Sequence, residues 1–237
     1  MEQLKYTLGP FELFAAIIGG SPFVVAGILL HYPVKHLGEL VPLIQQSSSV
    51  AIALTALFLS YIAGGTVQSI SWPYFVRLCR LFNKNFLFLG DELIRRNQTL
   101  PQQNISDGMN NLVFEDRLVL QLRKHIGIPK KLSWMDGRLM AYLRENNSPS
   151  MVTAEGFVAS HIMYRNLSLG CLLLCLVSLV NGVRLGSPAP LLLIPILLYA
   201  AYLMFRQAVN FKLWQNRELL LGFYFASTKE SSPEDKS

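Results

Sequence analysis

The chain has 237 residues, of which 51% are hydrophobic and 15% are charged. An ordinary soluble domain has about 25% charged residues, so this composition argues against a soluble globular enzyme. Four apolar segments together contain one acid, Glu12, and no Lys or Arg: residues 11–30, 50–65, 167–183 and 191–205. A helix needs about 20 apolar residues to cross a membrane. We therefore expect an all-α, polytopic membrane protein with four transmembrane helices.

The distribution of positive charge predicts how the chain is threaded. Of the 21 Lys and Arg residues, only Lys35 and Arg184 fall between the first and second or the third and fourth segments. The other 19 lie before the first segment, between the second and third, or after the fourth. Cytoplasmic loops of membrane proteins are enriched in Lys and Arg. We predict that both termini and the long middle segment are cytoplasmic, in a bacterial inner (plasma) membrane.

Small residues stand out in the first two predicted spans, which together occupy residues 1–72. The first span contains Gly19 and Gly20, and the second contains Gly64 and Gly65. Small side chains let two membrane helices approach closely. We predict that these four glycines pack helices together.

The outer third of the second predicted span carries five consecutive polar residues: Gln45, Gln46, Ser47, Ser48 and Ser49. Such groups are costly in a membrane unless they face water or other helices. In a symmetric oligomer they would form a polar ring that lines a pore. Alternatively, they form hydrogen bonds between helices.

Residues 73–150 are predicted to form a helical cytoplasmic domain inserted between the second and third spans. Pro73 is expected to bend the chain into an amphipathic helix over 74–96, followed by helices over 108–126 and 133–144. In the middle helix, three basic residues are followed by Gly127, which is the order expected at a helix C-terminus. Residues 151–227 are predicted to hold spans three and four with cytoplasmic extensions, and residues 228–237 a disordered tail.

Basic residues of the cytoplasmic domain form two groups, one on the helix over 74–96 and one at residues 123–131. Eight of them are candidates for contacts with an anionic ligand or with anionic lipid: Arg77, Arg80, Lys84, Arg95, Arg123, Lys124, Lys130 and Lys131. Each Lys or Arg near the inner leaflet gains about 1 kcal/mol from anionic lipid. The net charge of +6 therefore does not require a nucleic acid partner.

Motifs that would indicate enzyme chemistry are missing from the sequence. There is no phosphate-binding or dinucleotide-binding glycine loop, no hydrolase nucleophile motif and no quartet of metal ligands. We expect no enzyme activity, no cofactor and no metal site. Cys171 and Cys175 lie one helical turn apart, where a disulfide is geometrically poor. Glu12 is expected to reach the interface, since an acid in the first helical turn favours the helix dipole.

Two functional hypotheses remain open. The first is a homo-oligomeric pore or membrane-perturbing effector that is controlled by its cytoplasmic domain, for example in a bacterial stress or anti-phage (antiviral defence) system. The second is a non-conducting membrane anchor or assembly factor that recruits a cytoplasmic protein through its basic helices. A transporter is disfavoured because the two halves of the chain show no paired repeat. The expected partners are the lipid bilayer, further copies of the chain, and a cytoplasmic protein or anionic ligand.

Overall fold

The computed structural model describes residues 10–34, 39, 50–82, 93, 96–98, 113–128 and 135–230. Six helices account for most of these residues: α1 (Pro10–His31), α2 (Val50–Leu81), α3 (Phe114–His125), α4 (Met135–Glu145), α5 (Pro149–Leu185) and α6 (Ala189–Glu230). The described residues include no β-strand. The predicted all-α class is therefore confirmed.

Four of the helices, α1, α2, α5 and α6, have the length and apolar composition required to cross a membrane. They contain the four apolar segments of the sequence. Helices α2, α5 and α6 have 32, 37 and 42 residues, well above the roughly 20 that a bilayer requires. The four predicted membrane-spanning helices are confirmed on these grounds.

The course of the chain after Pro73 differs from the prediction. Pro73 lies inside α2, and the helix continues to Leu81 instead of ending before a new helix at residue 74. Proline removes one backbone hydrogen bond and often ends a helix. The turns after it carry Phe75 and Cys79, which are both buried. Tertiary packing supplies most of a helix's stability in proteins, and here it outweighs the proline.

The helices predicted over 108–126 and 133–144 correspond to α3 and α4 within the described residues. Helix α3 ends at His125, and Gly127 follows with a φ of 67°. This left-handed conformation is easily adopted by glycine. The basic residues and glycine therefore mark the end of this helix as the sequence predicts.

The chain forms two compact units. Unit 1 consists of Met1–Asn83 and Val158–Phe211, and unit 2 consists of Lys84–Phe157 and Lys212–Ser237. Helices α5 and α6 contribute residues to both units. Unit 1 contains α1, α2 and the most apolar parts of α5 and α6, whereas unit 2 contains α3 and α4.

In unit 1, α1 and α2 meet backbone to backbone. A Cβ atom placed on Gly20 would lie 1.9 Å from the carbonyl oxygen of Ser60, and one placed on Gly64 would lie 2.0 Å from that of Ala16. Each helix therefore contributes two small residues spaced four apart, Ala16 and Gly20 on α1 and Ser60 and Gly64 on α2. Small residues at this spacing allow the close helix packing that is common in membranes.

Unit 2 has a conventional hydrophobic core. Its fully buried members come from α3, α4, the start of α5 and the end of α6: Val119, Leu122, Leu143, Ala154 and Phe223. Lys212 Nζ forms an ion pair with Asp136 Oδ2 at 2.5 Å, which ties α6 to α4. The described members of this core are all apolar.

Candidate functional site

A group of polar side chains is buried in unit 1, on one side of α5. His161, Arg165 and Ser168 follow a spacing of four and three residues, which places them on one face of a helix, and Asn166 is next to Arg165. Their exposed fractions are 4%, 6%, 1% and 0%, respectively. Together with Ser71 of α2 we call these residues the Arg165 cluster. Polar and ionisable groups buried in membrane helices are candidates for function.

Asn166 joins three helices at the centre of unit 1. Its Nδ2 donates to the carbonyl oxygen of Gly64 at 3.2 Å, and its Oδ1 accepts from Ser71 Oγ at 2.6 Å. A Cβ atom on Gly19 of α1 would lie 2.9 Å from Asn166 Cβ. The side chain therefore fixes α5 against two positions of α2 and packs directly against α1.

Arg165 is held by neutral groups. Its Nε donates to Ser71 Oγ at 2.9 Å, and its Nη2 lies 3.5 Å from the carbonyl oxygen of Gln68. The guanidinium carbon lies 5.4 Å from the centre of the Trp72 ring, within the range of a cation–π interaction. No carboxylate among the described residues forms an ion pair with it.

His161 completes this arrangement from the other side. Its Nδ1 lies 2.9 Å from the carbonyl oxygen of Ala208, and a carbonyl can only accept, so Nδ1 carries the proton. In a neutral ring Nε2 is then an acceptor, and Arg165 Nη1 lies 3.5 Å from it. The His161 ring also packs edge-on against Phe75, with ring centres 4.8 Å apart. The bond to Ala208 links α5 to α6.

A second polar contact lies one turn further along α5. Ser168 Oγ donates to the carbonyl oxygen of Ala201 at 2.9 Å and is 2.8 Å from the hydroxyl of Tyr74. Because the serine proton goes to the carbonyl, the tyrosine donates to the serine oxygen. Tyr74 of α2, Ser168 of α5 and Ala201 of α6 therefore form a short hydrogen-bonded chain through three helices.

The electrostatic character of the Arg165 cluster follows from these contacts. Burying a guanidinium in an apolar environment is costly unless its N–H groups are bonded. Here carbonyl, hydroxyl and imidazole acceptors and an aromatic face meet the charge, and the described residues offer no neutralising carboxylate. Unit 1 therefore retains a buried positive charge beside its apolar helices.

Unit 1 also contains a cavity of about 370 Å³ next to this cluster. Four polar residues contribute to its walls: Glu12, Tyr61, Thr66 and Gln68. The remaining wall comes from small and aliphatic residues of α1, α2 and α5, including Ala16 and Ile162. Gln68 is common to the cavity and the Arg165 cluster. The residue lines the cavity, and its backbone carbonyl oxygen lies near Arg165 Nη2. Glu12, the lone acid of the apolar segments, therefore lies at a cavity whose wall is mainly apolar with a few polar groups.

Unit 2 contains a larger pocket, of about 540 Å³. Most of its lining is apolar and comes from α3, α6 and the residue at 93: Leu93, Phe114, Leu118, Leu213, Trp214, Leu220 and Leu221. The charged lining residues are Arg96, Glu115 and Arg217. Pockets of 300–1,000 Å³ with apolar walls and a few polar groups are typical of small-molecule sites.

Of the four glycines predicted to pack helices together, three lie at helix contacts and one does not. Gly20 and Gly64 lie at the contact of α1 with α2, and Gly19 faces Asn166 of α5. Gly65 is exposed, and a Cβ atom on it would have nothing within 4 Å. Its role in helix packing stays a prediction.

Several of the other predicted site residues lie outside the described residues. These are the polar run Gln45, Gln46, Ser47, Ser48 and Ser49, and the basic residues Lys84, Arg95, Lys130 and Lys131. Arg77 and Arg80 are exposed on the last turns of α2, and Lys124 is exposed on α3. Arg123 donates to the side-chain and backbone oxygens of Asn97, which gives it a structural contact within unit 2.

Potential metal ligands, among them three cysteines, occur in the described part of the chain. It contains no group of three or more His, Cys, Asp or Glu residues placed to hold a metal ion. Cys79, Cys171 and Cys175 are free thiols. Cys175 Sγ contacts the carbonyl oxygen of Ile194 at 3.8 Å, a packing contact between α5 and α6.

The Arg165 cluster was not predicted from the sequence, in which Arg165 falls among the many cations between the second and third apolar segments. Its signal was the helical spacing of His161, Arg165 and Ser168 immediately before an apolar run. A cation in a loop would not be expected to share a helix face with two other polar residues.

No protein-family model, curated protein or solved structure matches the chain.

Proposed function

We propose that this chain acts as a homo-oligomeric pore or membrane-perturbing effector that is controlled by a helical domain in the cytoplasm. The observation that carries this proposal is the cavity of unit 1, whose mainly apolar wall includes the polar residues Glu12, Thr66 and Gln68. Ionisable and polar groups on membrane-spanning helices face water-filled spaces or other helices, and they often mark pathways for ions or substrates.

The exposed face of α2 supports assembly around an axis. Thr55, Thr66 and Ser69 are exposed and fall within about 60° on a helical wheel, an arc that they share with the exposed Ile62. The hydroxyls of Thr55 and Thr66 bond to backbone carbonyls of their own helix, which lowers the cost of placing them in a membrane. In an oligomer this face of α2 would line a central pathway, which is also one of the two roles considered for the polar run at 45–49.

The threading and the cellular setting remain part of the proposal. The 19 cations of the two termini and the middle segment favour a cytoplasmic location for all three, in a bacterial inner membrane. The helical insert between α2 and α5 would then receive the controlling signal in the cytoplasm. A role in a stress or anti-phage defence system is one setting in which such an effector would act.

A liposome experiment tests the proposed activity. The full chain is reconstituted at increasing protein-to-lipid ratios into vesicles that contain a small and a large fluorescent dye. We expect protein-dependent release of the small dye, and less release with Thr66→Leu, which fills the cavity wall. Ile196→Leu, at a residue exposed on α6, is the matched control and should release dye like the wild type. Vesicles that stay sealed at every density, with and without anionic ligands, would contradict the proposal.

The alternative function is a non-conducting anchor that recruits a protein. It is favoured by exposed apolar residues on the unit 2 part of α6, where Trp214 is 46% exposed and Phe225 is 65% exposed. Large aromatic residues are enriched among the residues that dominate binding at interfaces. Purification in mild detergent distinguishes the two: a stoichiometric second protein favours the anchor, and a symmetric assembly of one chain favours the pore.

A further inference from the structure

The pocket of unit 2 has three chemically distinct parts. Its apolar wall, which includes Phe114, Leu118 and Trp214, can bury a hydrocarbon group. Its charged lining residues are two guanidinium groups and one carboxylate. A ligand that satisfies all three parts must combine a hydrocarbon chain with groups of both charges.

The two arginines differ in what they are bound to. Arg96 Nη1 donates to Asp116 Oδ1 at 3.1 Å, so its charge is already balanced within the protein. Arg217 is exposed and forms no ion pair with the residues that the structure describes. It is therefore the cation of the pocket that is open to an anionic group.

Glu115 presents the complementary feature. Its Oε2 atom is buried and has no hydrogen-bond partner among the described residues. A buried acceptor without a partner is rare in folded proteins and costs free energy. A donor carried by a ligand would satisfy this oxygen, and an ammonium group would also balance its charge.

From these observations we propose that the unit 2 pocket binds a zwitterionic single-chain amphiphile. Its primary ammonium donates to Glu115, its anionic group pairs with Arg217, and its hydrocarbon chain lies against Phe114, Leu118 and Trp214. The anion can be a phosphate, as in a lysophospholipid, or a carboxylate, as in an acylated amino acid. This inference goes beyond the proposed function, because binding at the pocket is measured without any flux across a membrane.

The test uses the full chain kept soluble in an amphipathic polymer and three lysophospholipids with the same brominated acyl chain. Bromine quenches tryptophan fluorescence, and the chain also contains Trp72 and Trp134, so binding beside Trp214 is followed as the quenching of the wild-type chain minus that of Trp214→Phe. The head groups are phosphoethanolamine, which has an ammonium and a phosphate, phosphocholine, whose cation has no N–H, and phosphoglycerol, which has no cation. A brominated chain on an amino acid head group distinguishes a carboxylate from a phosphate.

We expect saturable quenching by the phosphoethanolamine lipid, with a Kd about tenfold lower than for either of the other two lipids, since each loses one charge-assisted bond. Glu115→Gln and Arg217→Gln should each weaken its binding by a similar factor. Arg138→Gln, at an exposed residue of α4 outside the pocket, is the matched control and should bind like the wild type. Trp214→Phe should remove the saturable quenching.

Equal Kd values for the three head groups on the wild-type chain would overturn the proposal without the use of any variant. Saturable quenching that persists in Trp214→Phe would place the lipid elsewhere and would overturn it too. Preferential binding of the amino acid amphiphile would keep the site and identify the anion as a carboxylate. Dye release from vesicles is scored separately, so loss of either result does not decide the other.

Discussion

Arg165 donates through its Nε to the hydroxyl oxygen of Ser71, 2.9 Å away, although the two residues are 94 positions apart in the chain. Both are almost completely buried. Ser71 Oγ in turn donates to Asn166 Oδ1, so the serine couples the guanidinium to the amide that holds α5 against α2. Ser71, Arg165, Asn166 and His161 therefore form one connected hydrogen-bonded system, whereas Ser168 bonds separately to Tyr74 and Ala201.

Arg165→Ala should destabilise unit 1 by about 1.5–3 kcal/mol, the value of hydrogen bonds to a charged group. Arg165→Lys should also destabilise it, since an ammonium cannot reproduce the planar arrangement of N–H groups or the stacking on Trp72. The melting temperature of the purified protein measures both effects. Arg206→Ala, at an exposed residue of α6 in the same unit, should leave the melting temperature unchanged. A lysine variant as stable as the wild type would show that only the charge matters.

Gly20→Ala should weaken the packing of α1 on α2, because its Cβ would overlap the carbonyl of Ser60. The overlap involves backbone atoms, so the helices must separate, and we expect a cost of about 1–3 kcal/mol from overpacking. Gly27→Ala is the matched control on the same helix, since a Cβ there meets nothing within 4 Å. Alanine has the higher helix propensity, so Gly27→Ala should be neutral or stabilising by about 0.5–1 kcal/mol. Melting temperatures that fall equally for both variants would argue against this contact.

Asp136→Asn should destabilise unit 2 more than the loss of an exposed ion pair does. The Lys212 side chain is only 9% exposed, and without the carboxylate its ammonium keeps Gln215 as a partner. Removing the carboxylate leaves this buried ammonium without its charge partner. Because the Asp136 side chain itself is 40% exposed, we expect about 1.5 kcal/mol, the low end for hydrogen bonds to a charged group. Arg144→Ala, which removes an exposed pair with Glu155, should cost about 0–1 kcal/mol. Chemical unfolding of the full chain, followed by fluorescence, compares the two.

The predicted threading is tested with cysteine labelling in intact cells. Ser187→Cys places a thiol between α5 and α6, and Glu145→Cys places one at the end of α4. A membrane-impermeant maleimide should label the first in intact cells and the second only after permeabilisation. The parent chain, whose Cys79 and Cys175 are buried and whose Cys171 is half-buried, gives the background. Labelling of Glu145→Cys from outside would reverse the predicted orientation.

The sequence allowed the helical class and the four membrane-spanning helices to be predicted, because both depend on the length of apolar runs, which is a local property. It also located the end of α3, where Gly127 takes a positive φ. The end of α2 was misplaced, because Pro73 acts locally whereas the burial of Phe75 depends on partners such as Phe205, 5.7 Å away between ring centres.

The Arg165 cluster and the unit 2 pocket could not be predicted in the same way. Whether Arg165 contacts Ser71 depends on how α5 is rotated about its axis relative to α2. That rotation cannot be determined from a single sequence. The pocket depends on Leu93 and Glu115 coming next to Arg217, more than 100 positions away along the chain. Such long-range contacts arise from tertiary packing and cannot be deduced from the hydrophobic periodicity of the sequence.

We propose that copies of this chain together create a polar pathway across a membrane. Electrical recording from the purified full chain in a planar lipid bilayer tests it most directly, because each pathway gives its own current step. We predict discrete steps whose frequency rises more than linearly with protein concentration, as expected for assembly of several copies, and whose size changes in Glu12→Gln. A bilayer that stays at its baseline current, although incorporation of the protein is verified, would contradict the claim.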